Sequence, residues 1–166
     1  MVVFLALAPL WHFMPTKSQR RQARLRECAA LAGLFVELRD LPLPRARRER
    51  LPAVDRQLVY YGCRLRPGRG RPDERCAWFR ESADGSGVRS AAGGVADEGQ
   101  EARWGSLPAR RDPPKEALEM PACVLAVDLG PDSCGVYWRE EGDEDTVRML
   151  AEKLRAWRDE ITPQPV

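Results

Sequence analysis

The stretch CVLAVDLGPDSCGVYWREEGDEDTVRMLAEKLRAWRDEI, residues 123–161, carries the clearest structural signal in the chain. Residues 123–130 form a continuous apolar run, Pro131-Asp132-Ser133 is a turn, and CGVYWRE (134–140) alternates like a strand partner. After Glu141-Gly142, Asp143 is a helix N-cap, acids crowd the first turn, and Arg155 and Arg158 sit near the end, as the helix dipole prefers. Val147, Leu150, Ala151, Leu154, Trp157 and Ile161 recur at the spacing of one apolar helix face. The segment therefore predicts a β-hairpin near 122–140 followed by an amphipathic helix that covers a sheet, an α+β fold.

Working outward, QLVYYGCRL (57–65) and RCAWFRE (75–81) are strands flanking the turn-rich PGRGRPDE (67–74). They predict a second hairpin near 57–81, giving a small, mostly antiparallel sheet. LFVEL (34–38) is a short strand. Residues 39–56 hold Pro42, Pro44, Pro52 and many arginines and read as a solvated loop. Residues 82–114 read as a flexible loop with one short strand near Val88, before a short helical turn at 115–119. Thr16 is a plausible N-cap for a basic helix within 16–33, with Gly33 as its stop. The expected α+β domain spans 34–161, and residues 162–166 are a tail.

The first fourteen residues, MVVFLALAPLWHFM, contain no charged side chain. Immediately after them Lys17, Arg20, Arg21, Arg24 and Arg26 form a cationic collar with no acid before Glu27. A secretory signal would place its charge before the apolar run, and a buried core helix would not need five adjoining cations. The pattern predicts a membrane helix at 1–15 continuing into the basic juxtamembrane helix, with the collar binding the membrane surface and the rest cytoplasmic by the positive-inside rule. Fourteen residues span about 21 Å against roughly 30 Å of hydrocarbon. Either the bilayer thins locally or the true start lies upstream of Met1, and the second is the simpler expectation.

The 166 residues carry 27 Lys+Arg against 25 Asp+Glu, so the chain is no polycation, yet residues 16–50 hold ten bases and four acids. The single histidine, His12, excludes a Ser-His-Asp triad or a histidine metal cluster elsewhere. Cys28, Cys63, Cys76, Cys123 and Cys134 show no C-x-x-C spacing and fit small core residues in a reducing compartment. The acids of 140–145 suit a helix start better than catalysis. DLGPDSCG fits neither a dinucleotide nor a P-loop fingerprint. Arg20–Arg26, Arg45–Arg50 and Arg64–Arg71 could contact nucleic acid, but without interleaved exposed aromatics that signal is weak. Trp104 and Trp138, if exposed, would mark a partner surface. No catalytic, cofactor or metal residue is expected, and no small-molecule substrate.

The apolar segment with its Pro15-x-x-x-Gln19-Arg20-Arg21 exit, LFVEL, Tyr60-Tyr61-Gly62, Trp78-Phe79-Arg80, Met120-Pro121-Ala122-Cys123 and VYWREEGDEDTV resemble a family of single-pass inner-membrane proteins of gammaproteobacteria. That family is labelled preprotein translocase subunit YajC or YajC-like. The resemblance implies a non-catalytic accessory role beside the Sec translocon or in membrane-protein assembly, with the bilayer and other membrane proteins as partners. It supplies no catalytic residue. The rival expectation is a soluble or peripheral nucleic-acid-binding module using the Arg-rich segments.

Overall fold

The computed structural model describes residues 16–51, 56–66, 75–81, 103–108 and 112–162. The expected anchor at 1–15, the strand near Val88 and the tail after Thr162 lie outside them. Among the described residues, no helix is long and apolar enough to cross a membrane.

The elements in order are α1 (Lys17–Leu31), β1 (Phe35–Asp40), α2 (Arg45–Arg48), β2 (Gln57–Arg64), β3 (Cys76–Arg80), β4 (Trp104–Leu107), α3 (Lys115–Leu118), β5 (Val124–Leu129), β6 (Ser133–Trp138) and α4 (Glu144–Ile161). The six strands form one antiparallel sheet in the order β1-β2-β6-β5-β3-β4. The expected hairpin at 122–140 is present as β5–β6. The expected hairpin at 57–81 is not: β2 pairs with β1 and β6, and β3 with β4 and β5. Both β2 and β3 bury both faces, so each needs a neighbour on either side. The eleven-residue interval between them is long enough for the tight β5–β6 hairpin to enter.

Alternation along the strands divides the core into two layers. On one face Tyr61, Cys63, Trp78, Val127, Cys134, Val136 and Trp138 pack against Leu25 and Ala29 of α1 and the Val147–Leu150–Leu154–Trp157 stripe of α4. On the other, Leu58, Tyr60, Phe79, Leu125 and Tyr137 meet Leu41 and Leu43. A register shift between Val124 and Ala126 turns both Leu125 and Ala126 to this second layer. The expectation of a fully solvated loop at 39–56 is thus corrected: Asp40 ends β1, Leu41 is 1% exposed, and α2 forms among the arginines. Within the expected loop 82–114, Trp104–Leu107 is the edge strand β4. Thr162, expected in the tail, is buried and accepts from the Arg66 amide at 3.3 Å.

Candidate functional site

The basic helix begins with a capping box: Gln19 N–H donates to Thr16 Oγ1 at 3.2 Å, and Thr16 N–H to Gln19 Oε1 at 2.8 Å. Leu25 and Ala29 hold its inner face on α4 and the sheet. Arg155 of α4 donates to the Ala32 carbonyl at its far end. The helix is therefore part of the core and cannot swing independently of it.

The five collar cations divide into two groups. Arg26 donates through Nε and Nη2 to the two carboxylate oxygens of Glu140 at 2.9 and 2.8 Å. Tyr61 Oη donates to the same carboxylate at 3.0 Å, and Arg21 donates to the Glu140 backbone carbonyl. Glu140 is 1% exposed and has φ of 56°, a left-handed conformation that a non-glycine residue adopts only when its surroundings hold it there. The hydrogen bonds that Arg26 donates to Glu140 hold its guanidinium above the ordinary pKa, while burial and then the nearby Glu140 charge push the Tyr61 hydroxyl up. Two of the expected surface cations, themselves still exposed, thus bond to Glu140 and tie α1 to the β6–α4 corner.

Lys17, Arg20 and Arg24 stay exposed and make no ion pair with another described residue. Together with Arg21 and Leu25 they wall a cleft of about 350 Å³ whose opposite side is Gly142, Asp143 and Glu144 at the start of α4. The position of Lys17 and Arg20, in the first turn, is unfavourable for α1 itself. Its first turn has no acid, and cations there oppose the positive end of the helix dipole. In α4 the arrangement is the favourable one, with Glu144 and Asp145 in the first turn, Arg158 in the last and an Asp143–Thr146 capping box. One helix is charged for its own stability; the other is charged against it.

In the other two arginine-rich stretches several of the described cations are paired with acids. Arg45 pairs with Glu49 at 2.8 Å, Arg48 with Asp40 at 3.1 Å and Arg66 with Asp159 at 3.3 Å. Of the two tryptophans expected on a partner surface, Trp138 is corrected: it is 0% exposed, edge-on to Tyr61 at 5.1 Å. Trp104 is half-buried, with the Arg80 guanidinium 5.0 Å from its ring centre.

Two charged residues that matter most escaped sequence reasoning. Glu140 sits beside Glu141 in a run of acids that reads as a helix start. Asp128, 2% exposed on the opposite face, accepts from Arg75 Nε at 3.0 Å and Nη2 at 2.6 Å, and from Tyr137 Oη at 3.3 Å. A lone acid inside VLAVDL was a signal for it, since a buried carboxylate needs a partner. Among the described residues, no three His, Cys, Asp or Glu side chains come together as a metal site. Comparison of the chain with protein-family models, curated proteins and solved structures gives no match.

Proposed function

We propose that the protein is a membrane-tethered, non-catalytic binding domain whose α1 rests on an anionic bilayer surface. The observation that carries this reading is the placement of Lys17, Arg20 and Arg24: all three are exposed and unpaired among the described residues, and Lys17 and Arg20 lie at the wrong end of the helix dipole. An external anion offsets that cost, and the uncharged residues 1–14 directly precede these cations. In the same proposal residues 1–15 are a single span of the bacterial inner membrane, the folded part is cytoplasmic, and the partners are membrane proteins such as Sec translocon components, as the YajC-like resemblance implies. The nucleic-acid alternative would draw on the same exposed Arg20 and Arg24, but the uncharged residues 1–14 beside them favour a bilayer, and Arg45, Arg48 and Arg66 are already paired with acids.

Vesicle flotation of residues 16–166, which lack the proposed span and keep the whole of α1, tests the surface contact. Each basic residue near an anionic surface contributes about 1 kcal/mol, so K17Q/R20Q/R24Q should lose roughly a hundredfold in affinity for vesicles rich in phosphatidylglycerol. Binding that is unchanged in the triple variant sinks the surface contact. Release of the protein from cell membranes by high salt alone sinks the integral span. Absence of any cross-link to translocon subunits removes the accessory role.

A further inference from the structure

Cys63 of β2 and Cys134 of β6 are register partners, and both are buried free thiols on the face covered by α4. Leu65 N–H donates to the Asp132 carbonyl two residues along the same ladder. By alternation Cys63 and Cys134 form a hydrogen-bonded pair, whose Cα atoms lie about 5.5 Å apart, within the roughly 4.4–6.8 Å that a disulfide spans. Their Cβ atoms must still close to about 3.8 Å, which requires β2 and β6 to shift slightly. Bridges under such strain are the readily reduced ones.

Both sulfurs also touch α4. Arg158 Nη1 donates to Cys63 Sγ at 3.6 Å, and Cys134 Sγ donates to the Leu154 carbonyl at 3.8 Å. The Arg158 side chain is 21% exposed, so its displacement opens a path from solvent to Cys63. The third cysteine of this row, Cys76, is opposite Leu129, two strands and about 10 Å from Cys134, out of reach.

We propose that Cys63 and Cys134 form a reversible cross-strand disulfide when the protein meets a low-molecular-weight disulfide such as oxidised glutathione. Cys63 gives up its proton and its sulfur, beside the Arg158 charge, attacks one sulfur of the oxidant. One glutathione leaves and takes up that proton. Cys134, whose thiol burial pushes up to about 12, reacts second. It gives up its proton and attacks Cys63 Sγ, expelling the second glutathione, which is protonated in turn. Two protein thiols are oxidised and one small disulfide is reduced. The new bond withdraws both sulfurs from α4, so oxidation loosens that helix near Leu154 and Arg158.

Peptide mapping of the folded full chain under non-reducing conditions, after acid quenching from graded glutathione mixtures, tests the bridge. The expected result is loss of the mass of two hydrogens, a Cys63–Cys134 linked peptide, and recovery of both thiols in excess reduced glutathione. The same link should form with Cys28, Cys76 and Cys123 replaced by alanine, and C134A should stop at a glutathione adduct on Cys63. Backbone hydrogen exchange in the last turns of α4 should quicken on oxidation. Wild-type protein that stays fully reduced in oxidised glutathione overturns the proposal, as does a Cys63 adduct that never resolves onto Cys134. The wild-type measurement stands whether or not a variant folds.

Discussion

A methyl group on Gly135 would stand 2.3 Å from Tyr60 Cζ and 2.6 Å from the Tyr61 carbonyl oxygen. The Tyr60 ring lies over the facing glycines Gly62 and Gly135, filling a strip of sheet that has no side chains of its own. Gly135→Ala should therefore cost about 1–3 kcal/mol in urea denaturation, as overpacking does. At Gly130 the nearest atom to such a methyl is the Ser133 carbonyl oxygen at 3.6 Å, and Gly130→Ala should change stability little. The Arg26–Glu140 pair is asymmetric in another way, because Arg26 is 47% exposed and Glu140 1%. Arg26 can rehydrate when Glu140 is lost, whereas Arg26→Ala leaves a carboxylate in the core. The latter should cost about 3 kcal/mol at neutral pH, the lower end for a broken buried pair given the exposure of Arg26. Glu140→Gln, which keeps hydrogen-bonding capacity toward Arg26 and Tyr61 without a buried charge, should cost less.

Between elements, α3 meets α4 through two acids. Burial raises the Glu116 carboxyl above its ordinary pKa of 4.5, and the adjacent Glu160 raises it further. The folded state thus binds the proton more tightly than the unfolded chain, and the contact destabilises the fold when both acids are charged. Stability carried by this site should rise as pH falls through the raised value. Glu116→Gln should raise Tm at neutral pH and flatten the profile in the acid range, as scanning calorimetry at several pH values would record. The elements differed in how plainly the sequence announced them. Helix α4 and the β5–β6 hairpin were legible because helical period, acid-to-base order and a three-residue turn all agree. The neighbours of β2 and β3 were not, since a strand buried on both faces shows no alternation to say which partner lies beside it. At the candidate site, composition exposed the cations but not their division. Arg26 and Lys17 look alike in a list of bases, and only the fold brings Glu140, over a hundred residues away, to the first of them.

At the scale of the whole molecule, α1 joins two roles that are usually separate. The helix proposed to meet the membrane also supplies Leu25 and Ala29 to the main core. Leu25→Ala should destabilise the entire fold by about 3 kcal/mol, not just detach one helix. Unfolding followed by tryptophan fluorescence and by far-ultraviolet circular dichroism should then remain a single coincident transition. If α1 melted separately, the two signals would diverge. The strand order has a further consequence during synthesis. The β5–β6 hairpin that joins the two outer strand pairs is encoded after both of them. While the chain leaves the ribosome, β1–β2 and β3–β4 wait with their inner edges uncovered, and the sheet closes only when residues 124–161 arrive. Release of tension on a stalled nascent chain should accordingly come late and in one step, and until then those two open edges are where chaperones have most to shield.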